Sequence, residues 1–427
     1  MTIIVVNSGD TVSSLARQYG VMPEKLIQDN GIPEDGALAV GQSLVILTPD
    51  EVYDVVGQQQ TVSSISAMFS QSTKTTFRNN IFLGGNAIAP QNSQVVISYE
   101  SKPSLRKFLG GYAYDFIDRS LLNTVISYMT YIMPFTYGFR ADGSLIAPND
   151  EFIINTANEY NVRPLMHLST LTDYGNFSSA LASQVLNDAT AYEALIENIL
   201  ANVKAKGYYG VDVDFEFLSA NDSQAYVRFI EMLTETMNEN EFICIVALPP
   251  KTSDTQVGLL YEGIDYAALG EAANYAFLMT YEWGYRFGPP LPVAPVPSVR
   301  RVLDYAVTRI PPEKLILGIS NYGYDWTIPF VAGQSDAPSL STEYALSLAV
   351  KYGAEIMFDE AAQAPYFYYT DELGNQHIVW FEDARSYKAK VELMEEYGLS
   401  GGFIWDLMRR NPQGYVTLNA LIDIETL

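Results

Sequence analysis

The sequence predicts an α/β protein. Its main body is a (β/α)8 barrel with a small α+β insertion between strands seven and eight, and two βααβ modules precede it. Three observations carry this reading. The first hundred residues repeat themselves. From about residue 104, apolar strand-like runs alternate with amphipathic helices, as in a parallel α/β fold. Eight such runs can be counted before the chain ends at residue 427, which fits one closed barrel.

The repeat is read directly. VVNSGDTVSSLARQYG (5–20) aligns without gaps on VVGQQQTVSSISAMFS (55–70), residue n matching residue n + 50. Asn30 recurs as Asn80, and Ser43-Leu44-Val45 as Ser93-Gln94-Val95. Each copy reads strand, helix, helix, strand. Residues 2–6 and 43–48 are β-rich. Asp10 or Thr11 suits the N-cap of a helix that carries Leu15 and Tyr19 inward. Pro23 suits the first turn of a second helix, through about Asp29. The expected boundaries are 1–49 and 50–99 for the modules and 104–427 for the barrel.

The barrel strands are KFLGGYAY (107–114), VISYMTYIMPF (125–135), RPLMHLS (163–169), GVDVDFE (210–216), FICIVAL (242–248), ANYAFLMTY (273–281), KLILGISNYG (314–323) and GGFIWDL (401–407). Residues 324–400 separate the last two, too many for one helix. Within them, 325–383 reads as the insertion, with a hairpin pattern around Gly374-Asn375.

The fourth strand is the informative one. In GVDVDFEF (210–217), Asp212, Asp214 and Glu216 alternate with Val211, Val213, Phe215 and Phe217. A helix precedes it, with Tyr192, Leu195, Ile196, Ile199, Leu200 and Val203 at helical spacing. Another follows, with Tyr226, Phe229, Ile230, Leu233 and Met237 on one face. A strand between two helices belongs to a parallel sheet covered on both sides. The valines and Phe215 then face the helices, and the acids face the barrel interior. Each desolvated charge costs several kcal/mol unless paired, and like charges this close cannot all ionise. At least one acid should hold a proton at neutral pH, the condition for a general acid. Glu216 is nearest the C-terminal rim, where barrel enzymes work. A three-carboxylate metal site is the competing chemistry. It fits poorly, because steps of ~6.6 Å string the side chains along an axis. No metal and no cofactor is expected.

Composition narrows the function. Lys and Arg number 25 against 50 Asp and Glu, a net charge of -25. This argues against nucleic acid or an anionic membrane as partner. The single cysteine, Cys244, rules out a disulfide framework, and two histidines, His167 and His377, cannot alone build a His-rich zinc site. The 30 tyrosines and 20 phenylalanines suit a protein that grips sugar rings. MTIIVVNSGD has no charged leader, so no signal peptide is expected, and no run reaches the ~18 apolar residues of a membrane span.

YGVDVDFE resembles the DGxDxDxE signature of family 18 glycoside hydrolases, the chitinase-like enzymes. LMTYEW (278–283), LGISNYGYDW (317–326) and GGFIWDL (401–407) resemble that family's strand-six, strand-seven and strand-eight segments, so the likeness covers most of 104–427. The repeats resemble LysM, a module for glycans containing N-acetylglucosamine. LysM modules ahead of such a barrel resemble the bacterial spore-germination hydrolases that trim cortex peptidoglycan. The resemblance implies a retaining N-acetylglucosaminidase using substrate-assisted catalysis, located in the spore cortex or coat region or at the cell wall. A chitinase and a catalytically inactive lectin on the same barrel are the alternatives.

The resemblance also implies roles. Glu216 would be the acid and then the base. Asp214 would hold the substrate's acetamide, Asp212 would share a proton with Asp214, and Tyr281 would bond the acetamide or its oxazolinium form. Trp405 would floor the sugar site, with Glu282, Met279, Tyr112, Tyr137 and Asn321 as further substrate contacts. Tyr114, Phe135 and Tyr322 are weaker cleft candidates, and His167 reads better as a satisfied core histidine. In the first module the glycan would meet Gly9, Asp10, Thr11, Ile32 and Pro33, between loops 8–12 and 31–36; the second module's groove would be 58–62 and 81–87. There are departures. Tyr209 stands where the family often has Asp, Glu282 stands for the Asp of MTYD, and Gln58-Gln59-Gln60 replaces Ser8-Gly9-Asp10 in the second copy.

Overall fold

The computed structural model describes residues 1–426. All eight expected strands form, the second only in its latter half because its expected start, 125–128, is helical: β1 (Leu105–Tyr114), β2 (Tyr131–Phe135), β3 (Met166–Leu171), β4 (Gly210–Asp214), β5 (Ile243–Leu248), β6 (Tyr275–Leu278), β7 (Leu315–Ser320) and β8 (Gly401–Trp405). Neighbours pair in parallel from β3 round to β8. β8 pairs with β1, and β1 with β2. The ring closes in two steps. The chain after β2 continues as Tyr137–Phe139 alongside β3, and Arg163–Pro164, just before β3, pairs with β2.

The interior is filled rather than hollow. Phe277 lies 5.3 Å from Phe403 and 5.6 Å from Tyr112, ring to ring. Gly110 makes room for this plug, since a Cβ there would sit 2.5 Å from the Phe403 ring. Outside the sheet, Phe215 stacks on Tyr226 and Phe229 of the helix Ser223–Asn238, at 5.5 and 5.7 Å. The outward face of the fourth strand is therefore the apolar one, as the alternation requires.

The insertion is an antiparallel sheet of five strands with the helix Thr342–Tyr352. Ala364–Thr370 and Gln376–Trp380 form the expected hairpin, turning through Asp371–Asn375. Leu340, Leu346, Phe367, Val379 and Phe381 give the insertion a core of its own. Among the described residues no helix is long and apolar enough to cross a membrane.

Both N-terminal copies fold as strand, helix, helix, strand. In the first, Thr2–Val5 runs antiparallel to Ser43–Ile46 around helices Val12–Tyr19 and Pro23–Asn30. In the second, Pro49–Asp54 runs antiparallel to Gln94–Tyr99 around Val62–Met68 and Thr73–Asn79. Of the two candidate caps, Thr11 does the capping through a reciprocal bond with Ser14, while Asp10 accepts from the Asn7 amide. The repeated asparagine has one purpose in both copies. Asn30 donates to Leu26 O and Val45 O and accepts from Val45 N, and Asn80 does the same with Thr76 O, Val96 O and Val96 N. Each ties the second helix to the last strand, satisfying buried backbone groups that would otherwise be orphaned.

Neither copy hangs on a linker. Val45, Leu47 and Ile81 belong to the same continuous apolar core as the barrel. Between the copies, buried Lys25 pairs with Asp29 at 2.7 Å and donates to Tyr99 at 2.9 Å. Against the barrel, Gln413 is the hub. It donates to Ser43 O at 2.7 Å and Asn30 Oδ1 at 3.0 Å, and accepts from Ala384 N and Ser43 Oγ. Gly41, at φ 82°, presses on the insertion so closely that a Cβ would fall 1.8 Å from Ile356 O. The second copy's loop is also sealed, with Tyr160 donating to Gly85 O at 3.0 Å.

Gln413→Ala removes four buried hydrogen bonds; Asn30 Oδ1 keeps Val45 N and Ser43 Oγ keeps Asp383, while Ala384 N loses its Gln413 acceptor, a loss worth ~1–3 kcal/mol for a group left unsatisfied. The variant should lose several °C in Tm, and residues 1–49 should become the first segment cut in limited proteolysis. An unchanged Tm and an unchanged cleavage pattern would count against Gln413 as the docking hub.

Candidate active site

The site grows out of the register between β3 and β4. His167 lies opposite Asp212, and Ser169 opposite Asp214. Inward residues of both strands therefore stand side by side. Asp212 is fully buried; its Oδ2 accepts from Tyr112 OH at 2.9 Å and bonds His167 Nδ1 at 2.8 Å. One step up the strand, Asp214 lies with Oδ2 4.0 Å from His167 Nε2. Strand pairing stops at Asp214, so Glu216 stands on the rim rather than in the strand. Phe217 then turns left-handed, at φ 58°. That turn breaks the period of two, and the Phe217 ring is exposed at the cavity mouth.

A cavity of about 400 Å³ opens over these acids at the C-terminal end of the barrel. Of the expected site residues, Asp214, Glu216, Tyr281, Glu282, Met279, Trp405, Tyr112, Tyr114 and Phe135 line it. Trp405 packs on Phe135 and Tyr112 at 4.9 and 5.4 Å, which gives the cavity an aromatic floor. Glu282, at φ 67°, accepts from Tyr322 OH and, at 3.0 Å, from Tyr324 OH. Tyr322 thus acts through Glu282.

Three expectations need correcting. Tyr137 is buried on the other side of the sheet, where it and Tyr208 donate to Asp150, which Lys206 also reaches at 2.6 Å. The residue break at Thr136 shifts the alternation, so a tyrosine just beyond β2 points outward. Asn321 is a brace: Nδ2 donates to Asp406 O and Arg409 O, and Oδ1 accepts from Tyr387 and Asn411. Its amide is spent on shaping the loop after β8. Ile32 packs in the first module's core, because an apolar side chain there is worth more buried than offered to a sugar. Gly9, Thr11 and Pro33 are exposed, and Asp10 is partly so.

His167 is both buried and part of the cavity lining, stacked on Phe135 at 4.9 Å. Ser169, Thr170, Phe177, Ser179 and Phe277 also line the cavity and were not anticipated. Ser169 had a signal: it follows His167 by two on a strand, the spacing that Asp212 and Asp214 share.

Burial sets the electrostatics. It drives Asp214 well above the usual carboxylate range, with Glu216 and Asp212 adding repulsion. It raises Glu216 as well, and Glu282 against the pull of its two phenol donors. Tyr281 is held far above its ordinary value by burial and by the surrounding carboxylates. The cavity therefore presents carboxyl groups pushed toward their neutral forms, a phenol donor and an aromatic floor, a set suited to a neutral polyhydroxylated ring. Among the described residues no group of His, Cys, Asp and Glu is disposed to hold a metal ion.

The family model Glycosyl hydrolases family 18 matches residues 122–409, and the LysM domain model matches 4–47. The chain is 34% identical over 419 residues to the cortical fragment-lytic enzyme of Bacillus anthracis, covering 97% of this chain and 96% of that one. The crystal structure of the Bacillus cereus spore cortex-lytic enzyme SleL superposes with a TM-score of 0.84 at 34% identity, covering 100% of this chain and 98% of the other. A chitinase from Chromobacterium violaceum aligns with a TM-score of 0.68 at 26% identity, over 74% of this chain and 98% of its own.

A raised carboxyl costs stability as pH rises. The unfolded chain releases the Asp214 proton from near pH 4, while the folded chain keeps it, so folding weakens until the folded group also ionises. Asp214→Asn removes that penalty. Its Tm should match the wild type near pH 4 and exceed it by a margin that widens toward pH 8, as read by calorimetry. A margin that is flat with pH would contradict the raised value.

Proposed function

The chain belongs to glycosyl hydrolase family 18, and from that premise we propose that it cleaves spore-cortex peptidoglycan as a retaining β-N-acetylglucosaminidase. The observation that carries this is the meeting of Asp214, Glu216, Tyr281 and Trp405 around one cavity, with both acids pushed toward their protonated forms. The full-length likeness to cortical fragment-lytic enzymes, modules included, supports cortex as the substrate.

In this reading Glu216 donates its proton to the glycosidic oxygen as the bond to C1 breaks. The carbonyl oxygen of the substrate's own acetamide attacks C1 and forms an oxazolinium ion. Asp214 accepts from the acetamide N–H and Tyr281 donates to its oxygen. Glu216, now ionised, takes a proton from water, and the hydroxide opens the ring at C1. Two inversions give retention. Trp405 stacks under the sugar, and Glu282 with Met279 and Tyr112 shapes the wall. The first module offers Gly9, Asp10, Thr11 and Pro33 as an open glycan edge. The second has its loop at Gly85 against the barrel, so we assign glycan holding to the first and docking to the second. The proposed location is the spore cortex or coat region.

Chitin is the second reading, favoured by the chitinase likeness over the barrel. Mass spectrometry of products from purified cortex and from chitin oligomers separates the two. Cortex fragments ending in N-acetylglucosamine are expected; turnover of chitin oligomers alone would reverse the assignment. Glu216→Gln should lose about 10²–10⁴-fold in kcat while still sedimenting with insoluble cortex. Wild-type rates in that variant would remove Glu216 as the acid.

A further inference from the structure

Oxazolinium formation places a cationic acetamide beside Asp214, so Asp214 must be ionised at that moment. Its burial among like charges makes it hold a proton before substrate arrives. That proton needs a destination. The family resemblance assigns it to Asp212, whose Oδ2 is already engaged by Tyr112 and His167. Three polar atoms of this cluster are buried without a hydrogen-bond partner: Asp212 Oδ1, Asp214 Oδ1 and His167 Nε2. An imidazole nitrogen is a stronger base than a carboxylate oxygen, so Nε2 is the better acceptor. It lies 4.0 Å from Asp214 Oδ2.

We propose that His167 is a positioning residue that stores the Asp214 proton during the reaction. The inference rests on the substrate-assisted reading above. In the free enzyme this assigns the Nδ1–H to the bond with Asp212 Oδ2, and Nε2 keeps its lone pair. As the acetamide seats, the O–H bond of Asp214 breaks, the proton joins the Nε2 lone pair, and Asp214 is left a carboxylate facing the acetamide N–H. The resulting imidazolium lies between two carboxylates, Asp212 on one nitrogen and Asp214 on the other, and the one negative charge left over faces the oxazolinium cation as it forms. When water opens the oxazolinium ion, the proton returns to Asp214. Charged and titratable groups face the imidazole from every side that matters: Asp212 and Asp214 from β4, Tyr112 from β1, and Glu216 and Tyr281 from across the cavity. From β2 it meets only the Phe135 ring. Stacking on Phe135 and edge contact with Tyr112 at 5.2 Å hold the ring in the plane that joins the two acids.

The chain has two histidines, so nitrogen-15 NMR of the imidazoles resolves His167 from His377. In the free wild-type enzyme at pH 7 the Nε2 resonance should be that of an unprotonated nitrogen. Adding a thiazoline analogue of the oxazolinium ion should move it to the protonated position, with His377 unmoved. His167→Asn keeps a donor for Asp212 but cannot take up a proton. Its kcat should fall on the order of ten- to a hundredfold, with KM within about twofold. An Nε2 resonance that stays put when the thiazoline is bound, or a folded Asn variant with wild-type kcat, overturns the storage role and leaves substrate assistance standing. Failure of the thiazoline to bind an active wild-type enzyme removes substrate assistance itself, and this inference with it.

Discussion

Three carboxyl groups, two on β4 and one at the rim just beyond it, form the constraint around which the rest of the molecule is arranged. In water, alternate acids on a strand cost nothing. Within a closed ring of β-strands, each ionised group forfeits hydration worth several kcal/mol. The structure resolves the cost in a graded way along β4. Asp212, deepest, is bonded by a phenol and an imidazole. Asp214, in the middle, is held toward its neutral form. Glu216, at the rim, is raised by burial but reaches the cavity. Burial, repulsion between neighbouring acids and the partners each one finds together give Asp214 and Glu216 the upward push that acid chemistry at neutral pH requires.

The N-terminal copies extend the same logic of fixed geometry. A glycan module on a flexible tether raises local concentration without choosing a direction. Here the modules share the barrel's apolar core and are pinned by Gln413, Lys25 and Gly41. The first module's open edge thus keeps a constant orientation relative to the catalytic cavity. Ordering of the modules against the barrel is complete before any ligand arrives, so that cost does not fall on binding.

Much of this was legible in the chain, and the failures have physical causes. The eight strands could be read because helix and strand periods differ sharply and each strand is flanked by helices. The acids' direction followed from the same flanks. Tyr137 and Asn321 were misplaced because proximity to a strand end does not fix which face a side chain takes: one residue of irregularity at Thr136 reverses it, and a loop can claim an amide first. Ile32 was misread because the module's own core competes for it. His167 was underrated because a lone histidine on an apolar strand carries no local signal. Its meaning lies in register, opposite Asp212, and register between β3 and β4 is set by the whole barrel. The sealing of the second copy against the barrel was likewise invisible, since repeats with the same internal bonds need not have the same neighbours.

The net charge of -25 then fits the character of the site. Toward a glycan that bears carboxylates the field is repulsive, and salt only screens it. Recognition must come from uncharged parts of the sugar at short range. The cavity is built for that: Trp405, Tyr112, Phe135, Phe177 and Phe277 supply flat apolar faces, while Ser169 and Tyr281 supply uncharged hydrogen-bonding groups. Burial that pushes Asp214 and Glu216 toward their neutral forms also lowers the negative charge that the free site presents.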